Sequence, residues 1–398
     1  MFRCISRDTK YLVLIILIYL AACIETDIYL PAFPDMMDFF ETSEEMIQQI
    51  LTWNFFGICF SCPFYGPLSD VFGRRKLLLG ALFLFLLGSV GTIFAMGIKQ
   101  MLLYRFLQGL GSGGCFTIGS AIIFDLWQGE KAVKVANDLN CAIPIIMAVA
   151  PMVGGYLNQV YNFRLNFIVI ALFVLISFIL CLFFLEETHL LEKRKSFCFR
   201  TILNNFAKAM TCWKFLGPTF MICLISAGYL TYVSTISILF MKHMGIGSRI
   251  FPLYQATILL SFVVGSLFAN RVIDIWGIQM LKMRGLILVY VGGLGFIMSS
   301  LFIANSPNLF QLWMIIFSFG CAWVIGPYFT EGMEAFPEIK GVTSSLITSF
   351  RLAFTAIVIS LTGHFFDGTI YPLVYAIGIL LFLGLFVLGF SYREKFLI

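Results

Sequence analysis

The sequence predicts an all-α membrane protein whose twelve transmembrane helices form two halves of six. Of its 398 residues, 60% are hydrophobic and only 12% are charged, whereas soluble domains hold about 25% charged residues. Apolar runs of roughly 20 residues, the length that crosses the hydrocarbon layer, recur along the whole chain. Each run is predicted to be a helix, because a lipid-exposed backbone must satisfy its own hydrogen bonds and an open sheet leaves some unpaired.

The predicted spans are separated by short polar segments, with one long exception at residues 186–215. That break divides the spans six and six. It predicts an N-terminal six-helix bundle (1–185), a cytoplasmic linker (186–215) and a C-terminal six-helix bundle (216–398), with a substrate site between the halves near the bilayer midplane. The twelve predicted spans are 11–33, 47–68, 77–97, 100–124, 138–159, 163–185, 216–240, 252–272, 283–304, 309–331, 344–365 and 371–391.

Basic residues concentrate in alternate loops between these spans. Arg74, Arg75 and Lys76 follow the second span and the linker carries several more, while the intervening loops hold few. The positive-inside rule then places both termini in the cytoplasm. The net charge of +5 is therefore a topology signal, and no nucleic-acid partner is predicted because the bases are scattered among loops.

Nothing in the sequence indicates a metal, a cofactor or an enzyme centre. The 11 cysteines lie mostly in apolar runs without metal-ligand spacing, as expected of packing residues. His189, His243 and His364 occupy separate loops or span ends, with no neighbouring nucleophile or ligand pair. A Gly-rich nucleotide loop with a Lys is also absent from the sequence, which argues against hydrolysis of ATP.

A charged loop follows the second span, where residues 66–76 read Gly-Pro-Leu-Ser-Asp-Val-Phe-Gly-Arg-Arg-Lys. This stretch closely resembles the cytoplasmic loop signature of the major facilitator superfamily, and residues 270–277 are a weak echo of it after span eight. The resemblance implies the major facilitator fold, in which Asp70 would cap a helix of the opposite half, an interaction that contributes about 0.3–1 kcal/mol. The conformational-switch residues it implies are Gly66, Asp70, Gly73, Arg74 and, at the end of the fourth span, Asp125.

The fourth span carries Arg105 and Gln108, three residues apart on one helix face, in a stretch that resembles the family's fourth-helix motif. An unpaired Arg within lipid is costly, so Arg105 is a candidate for proton coupling or substrate binding. A bond to a backbone carbonyl or a snorkel toward the outer surface is the alternative. Asp125 lies about 30 Å further along the helix axis, too far to meet Arg105, and the resemblance implies that it pairs with Arg74.

The first and fifth spans resemble the drug:proton antiporter branch of this family. Residues 25–31, Glu-Thr-Asp-Ile-Tyr-Leu-Pro, resemble the first-helix signature of its bicyclomycin and chloramphenicol resistance transporters. Pro144, Pro151, Gly154 and Gly155 resemble the antiporter signature, whose small residues and prolines serve close helix packing and a kink. This signature favours export by antiport over uptake.

Asp27 and Glu25 are the candidate proton carriers, since burial disfavours a charged carboxylate and makes its protonation switchable. Residues two apart point about 200° apart on a helix, so both acids can face one cavity only where the helix unwinds. The motif favours Asp27 over Glu25. The alternative places both acids at the outer interface, already hydrated.

The second half supplies candidate substrate and gate residues. Glu331 and Glu334 close the tenth span and Arg351 lies in the eleventh, which departs from the pattern of the branch. They form either a gate that pairs across helices or two solvated acids beside a buried Arg. Aromatic side chains are candidates to line a pocket for amphipathic compounds, with simple packing as the alternative. The predicted substrate-binding residues are Asn54, Gln108, Tyr229, Tyr232, Trp323 and Tyr328.

These features predict a proton-coupled antiporter that exports a small organic molecule, such as a drug or siderophore, across a bacterial inner membrane. The alternative within transport is a proton-coupled uptake symporter for a small metabolite. A membrane enzyme and a sensor that binds without transport are the other classes. The predicted partners are the substrate, protons and membrane lipid, and a monomer is predicted because a twelve-helix unit encloses its own pathway.

Overall fold

The chain folds almost entirely into helices. The computed structural model describes residues 7–127, 149–189, 199–303, 306–336 and 339–396, and no strand occurs within these ranges. The all-α prediction is therefore confirmed. In chain order the helices are α1 (Arg7–Asp27), α2 (Phe33–Phe40), α3 (Glu44–Phe72), α4 (Arg74–Phe94), α5 (Ile98–Leu126), α6 (149–160), α7 (Arg164–Phe184), α8 (Phe199–Met210), α9 (Trp213–Ile238), α10 (Phe251–Phe302), α11 (Pro307–Glu334), α12 (Lys340–His364) and α13 (Tyr371–Phe396).

The membrane-spanning helices of the described residues lie at predicted spans. Ten helical segments in the described ranges are long and apolar enough to cross a membrane, with α10 contributing two of them. Helix α3 covers the predicted span 47–68, and α6 lies in the described part of the predicted span 138–159, whose residues 138–148 are outside the described ranges. The chain is therefore a multi-pass membrane protein.

Side chains are distributed as expected for a protein whose outer surface contacts lipid. Large apolar residues such as Phe183 and Phe302 are 73% and 77% exposed on the outside of the bundle. Charged Glu25 and Arg105 are fully buried inside it. Ionisable residues at membrane depth face the interior because the alternative is contact with hydrocarbon.

The first helix ends earlier than the predicted span 11–33. Helix α1 stops at Asp27, a short 3-10 turn covers Leu30–Ala32, and α2 begins at Phe33. Pro31 explains the end of α1, because a proline ring clashes with the carbonyl of the residue four positions earlier and has no N–H to donate. The sequence thus places the last turn of α1, and the acid at its end, at a break in the helix.

Two glycines mark corresponding breaks after the second and eighth spans. Gly73 ends α3 with φ 94° and ψ 150°, and Gly277 interrupts α10 with φ 77° and ψ 163°. This backbone region is open essentially to glycine alone. The shared conformation gives the weak sequence echo between residues 66–73 and 270–277 a structural counterpart.

Close backbone approaches between α3 and α5 depend on small residues. A Cβ at Gly57 would overlap the Phe106 carbonyl oxygen, and one at Gly109 would overlap the Asn54 carbonyl oxygen. Small residues let membrane helices pack at short range, where dispersion and polar contacts hold them together. The crossing brings Asn54 of α3 beside Arg105 of α5.

The N-terminal part of the chain, before residue 186, meets the C-terminal part, after residue 215, mainly along α3 and α12. Leu51, Phe55 and Ile58 of α3 pack in one apolar cluster with Leu352 and Ala356 of α12. We call the end of this contact near Glu44 and His364 the closed face. The opposite end, where α1 begins and α13 ends, is the terminus face.

Candidate functional site

Arg105 lies at the centre of a buried polar cluster between α1, α3 and α5. Its Nη1 atom is 3.5 Å from the Glu25 carboxylate, and it also donates to the Gln108 Oε1 atom at 2.5 Å. Its Nη2 donates to the Tyr29 hydroxyl at 2.9 Å, and the guanidinium lies 4.5 Å from the centre of that ring. Further bonds reach the Ile50 and Glu25 carbonyl oxygens. Arg105 therefore does not snorkel, since it is fully buried and paired.

Asn54 and Gln108, predicted to bind substrate, are engaged within this cluster. The Asn54 amide donates to Glu25 and to the Arg105 carbonyl oxygen, each at 3.3 Å. Gln108 accepts from Arg105 and donates to the Ser89 hydroxyl at 2.9 Å. Their contacts in this structure position the Glu25–Arg105 pair, and their role toward substrate stays a prediction.

Asp27 is buried at the end of α1, outside the polar cluster around Arg105. Its side chain is 3% exposed, and its carboxylate accepts from the Thr26 hydroxyl at 3.2 Å. No Lys or Arg among the described residues lies within 4 Å of that carboxylate. Tyr229 of α9 lies close enough to interact with it electrostatically. Asp27 and Glu25 thus have different neighbours, as the helical spacing predicts, and both side chains are buried.

The four aromatic candidates do not converge on one pocket. Tyr232 donates to the Gln311 side chain at 3.0 Å, and Trp323 donates to the Gly265 carbonyl oxygen at 2.9 Å. Tyr328 packs beneath the Lys282 ammonium at 4.7 Å. These contacts hold α11 against its neighbours, so the expectation of a shared aromatic pocket is corrected for Trp323 and Tyr328. Tyr229 packs against Phe262 of α10 and is within electrostatic range of Asp27.

A charge cluster on the terminus face joins three of the predicted switch residues. Arg74 contacts the Asp70 carboxylate at 2.7 Å and the Asp125 carboxylate at 3.0 Å. The Arg74 backbone N–H, in the first turn of α4, donates to Glu187 at 2.9 Å. The structure therefore places Arg74 and Asp125 together, as the resemblance implied.

Asp70 forms an ion pair with Arg74 within the same part of the chain. Its predicted cap on a helix of the opposite half belongs to a state in which this face is closed, and it stays a prediction. Glu187, which the sequence reading missed, contacts a helix N-terminus. Gly66 lies two turns before the helix end with ordinary space around it, and Gly73 supplies the positive φ at that end. The switching role of all five residues stays a prediction.

The glycines of the antiporter signature occupy two tight contacts of α6. A Cβ at Gly154 would overlap the Ile28 carbonyl oxygen just after α1, and one at Gly155 would overlap Pro252 at the start of α10. Pro151 lies in the same helix, while Pro144 lies outside the described residues. The packing role that the sequence predicts for these small residues agrees with both contacts.

Glu331, Glu334 and Arg351 are not brought together. Glu331 pairs with Lys282 of α10 at 2.6 Å, and Glu334 makes no ion pair among the described residues. Arg351 of α12 is within electrostatic range of the Cys62 and Cys223 thiols, and no described Asp or Glu side chain lies within 4 Å of it. The interpretation of a gate formed by these three residues is therefore corrected, because Glu331 pairs with Lys282 and neither acid pairs with Arg351.

The closed face carries bridges that the sequence reading missed. Glu44 contacts Lys242 at 2.8 Å and His243 at 2.9 Å, and Glu45 contacts His364 at 2.9 Å. Every one of these bridges joins the N-terminal to the C-terminal part. Among the described residues, no ion pair of the terminus face joins the N-terminal to the C-terminal part; one of them, between Lys10 and Glu186, reaches the linker, and another, between Lys282 and Glu331, stays within the C-terminal part. Ion pairs between described residues therefore connect the two parts at the closed face only.

Most of the chain matches one known protein family. Residues 15–359 match the sequence model of the Major Facilitator Superfamily. The chain belongs to the Major Facilitator Superfamily. It is therefore a membrane transporter, which confirms the prediction of a carrier over an enzyme.

Two bacterial transporters are similar to this chain over most of their length. A bicyclomycin resistance protein homolog from Haemophilus influenzae is 26% identical over 367 residues, which cover 88% of each chain. A chloramphenicol resistance protein from Pseudomonas aeruginosa is 24% identical over 328 residues, covering 82% of this chain and 77% of the relative. These names agree with the branch that the first and fifth spans resemble.

A solved structure of the superfamily has the same fold. The D-xylose-proton symporter superposes with a TM-score of 0.72 at 16% identity and covers 96% of this chain and 97% of its own. At this identity the likeness concerns the fold alone. It confirms the major facilitator fold that the loop signature implied.

The ion pairs of Glu44 should hold the closed face of this Major Facilitator Superfamily member shut. Exposed ion pairs contribute about 0.2–1 kcal/mol each, so loss of both Glu44 pairs in Glu44→Gln should raise opening of the closed face roughly twofold to thirtyfold. Hydrogen exchange of backbone amides in residues 44–50 and 239–246 measures this opening. Glu41→Gln is the matched control, since Glu41 lies on the same face without an ion pair among the described residues. Equal exchange in the two variants would contradict the role of Glu44.

Low pH should also increase opening of the closed face in the wild-type protein. Partial burial raises the pKa of Glu44, but its bonds to Lys242 and His243 outweigh burial and hold the pKa below the usual glutamate range. Because the pKa of Glu44 is lowered, its contacts stabilise the closed face at pH values above the usual glutamate range. This stabilisation is lost as the pH falls through the lowered pKa. Faster exchange at the closed face is therefore expected only below about pH 4.

Proposed function

We propose that this chain is a proton-coupled antiporter that exports a small organic molecule, such as a drug or siderophore, across the bacterial inner membrane. The observation that carries the proposal is Asp27, a buried acid with no cation beside it in the described residues, at the contact between the two parts of the chain. The names of the relatives, which are bicyclomycin and chloramphenicol resistance proteins, support export of a drug-like substrate.

Asp27 is better suited than Glu25 to bind and release a proton. A carboxylate in a low-dielectric interior is costly unless it is paired, so an unpaired acid binds a proton readily and releases it when water reaches it. Glu25 is paired with Arg105 and bonded to Asn54, and these contacts stabilise its charged form. The turn Leu30–Ala32, just after Asp27, contacts α9 of the C-terminal part. Protonation of Asp27 would therefore change the interaction between the two parts.

Residues 1–185 and 216–398 would act as two bundles connected by the segment 186–215 and rock about a central site. The bridges at Glu44 and Glu45 fasten one face, and the basic residues of the opposite face favour a cytoplasmic position for it. In this proposal the closed face is periplasmic, both termini are cytoplasmic, and the structure is an inward-facing state. One monomer surrounded by lipid would form the whole pathway.

Transport in liposomes tests the proposal. The protein is reconstituted with an internal pH dye, a proton gradient is imposed, and amphipathic drugs, siderophore-like molecules and amino acids are added in turn. We expect one class of compound to drive proton flux opposite to its own movement, and Asp27→Asn to abolish this coupling. Asp38→Asn is the control, because Asp38 is an exposed acid on the closed face.

Two results would contradict the proposal. Proton and substrate moving in the same direction would make the chain an uptake symporter, the alternative within transport. Unchanged coupling in Asp27→Asn would remove Asp27 as the carrier and shift that role to Glu25 or Arg105. Loss of coupling in the Asp38→Asn control as well would show that the effect is not specific to a buried acid.

A further inference from the structure

Arg351 occupies the middle of α12, where the two parts of the chain meet. Helix α12 runs from Lys340 to His364, so Arg351 lies near the centre of a membrane span. Ile357 and Leu361 of the same helix are exposed to the lipid side. Helix α12 packs against α3 and α9, and the Arg351 guanidinium is within electrostatic range of the Cys62 thiol of α3 and the Cys223 thiol of α9.

No described acid neutralises this guanidinium. Its Nε atom is buried without a hydrogen-bond partner, and none of the described Asp or Glu side chains lies within 4 Å of it. Glu331, the nearest acid that the sequence offered as a partner, is engaged by Lys282. Arg351 thus differs from Arg105, whose positive charge is met by Glu25 and several oxygens.

An Arg held without a counter-charge at membrane depth is unfavourable for stability and indicates a functional role. A guanidinium presents a planar set of donors that matches a carboxylate or phosphate group, and it cannot lose its proton in a protein. We propose that Arg351 binds the anionic group of the transported molecule, so that the substrate class is amphipathic organic acids. The assignment of a transported substrate rests on the proposed function.

The surroundings of Arg351 suit the apolar remainder of such a molecule. Leu352, Ala356 and Ile359 of α12 pack with apolar residues of α3 directly on the closed-face side of Arg351. Cys62 and Asn54 are eight residues apart on α3, which places Arg351 about 12 Å nearer the terminus face than the Glu25–Arg105 pair. An anion entering from the unfastened terminus face would therefore meet Arg351 before it reached Asp27. Arg351 would bind the anionic group of the substrate, and Asp27 would bind the proton.

Binding of two matched probes tests this site without any proton gradient. The probes are 2-naphthoate, an anion at neutral pH, and 2-naphthamide, its neutral analogue of similar size, measured by equilibrium dialysis against full-length protein in phosphatidylcholine nanodiscs. We expect naphthoate to bind more tightly than naphthamide. Arg351→Gln should weaken naphthoate binding at least tenfold without changing naphthamide binding, and Arg351→Lys should restore part of the loss. Arg249→Gln, at an exposed Arg, should leave both unchanged.

Thermal stability separates loss of a binding group from failure to fold. Removing a charge at membrane depth that no described acid neutralises should not destabilise the protein, so Arg351→Gln and Arg351→Met should melt at or a few degrees above the wild-type temperature. Lower melting temperatures in both variants would assign Arg351 a structural role and overturn the proposal. Equal affinity of wild type for the two probes, no binding of naphthoate, or equal loss of both in Arg351→Gln would also overturn it.

The source of the anion and the link to transport are tested separately. Replacing part of the phosphatidylcholine with phosphatidylglycerol should leave the naphthoate affinity unchanged. Competition by this anionic lipid would assign Arg351 to a lipid headgroup and overturn the substrate assignment. A failed antiport assay with intact Arg351-dependent binding would overturn only the proposed direction of transport, whereas lost binding with intact antiport would overturn only the role of Arg351.

Discussion

An Arg105→Met variant is expected to lose about 3–5 kcal/mol of stability, because it leaves the buried Glu25 carboxylate without its cation. Arg105 also donates to Gln108 and Tyr29, so several buried oxygens lose their partner in the same change. The measurement is thermal unfolding in detergent, followed with a dye that reacts with thiols as they become exposed. The buried cysteines of the described residues, such as Cys115 and Cys181, supply the signal.

A double-mutant cycle shows whether this loss belongs to the Glu25–Arg105 pair. Adding Glu25→Gln to Arg105→Met removes the orphaned charge, so the double variant should be more stable than Arg105→Met alone. The coupling free energy between Glu25 and Arg105 should then be a large share of the stability that Arg105→Met loses. If the double variant were less stable than Arg105→Met by the full effect of Glu25→Gln, the two side chains would act independently. Arg351→Met is the matched comparison, since removing that unpaired charge is expected to have the opposite sign.

A Gly154→Ala variant is expected to have the second large effect. The new methyl group would overlap the Ile28 carbonyl oxygen, a backbone atom that moves only with the turn after α1. Overpacking of this kind costs about 1–3 kcal/mol, and more where the neighbours are rigid. The yield of monodisperse protein and the melting temperature should both fall, because α6 must move away from the turn after α1.

Gly326→Ala is the control for this change. Gly326 lies within helix α11, and nothing lies within 4 Å of the place where its Cβ would be. Alanine is favoured over glycine in a helix interior by about 0.5–1 kcal/mol, so this variant should be unchanged or slightly more stable. A Gly154→Ala protein as stable as Gly326→Ala would show that α6 has room to adjust.

Helical spacing accounts for the predictions that held at the level of single elements. Apolar runs located the spans, and the 200° separation of Glu25 and Asp27 correctly predicted that they face different neighbours. Pro31 accounts for the end of α1 at Asp27. Each of these depends on local chain geometry, which a sequence specifies without reference to distant residues.

The partners of the charged side chains were predicted less well. Glu331 pairs with Lys282 rather than with Arg351, and the pair of Asp70 with Arg74 was not predicted. Trp323 and Tyr328 are used in packing of α11. A helix of mostly apolar residues offers several faces for contact, and its own sequence does not state which neighbour covers each face.

The sequence by itself determined that this chain spans the membrane many times, that its family signatures lie around Asp70 and Asp27, and that a few ionisable residues are held at membrane depth. Only the tertiary structure decided which of those residues are neutralised. Arg105 meets Glu25 across two helices, whereas Asp27 and Arg351 meet no opposite charge in the described residues. The physical reason is that local propensity and hydropathy act over a few helical turns, while the pairing of buried charges depends on how helices distant in sequence pack together.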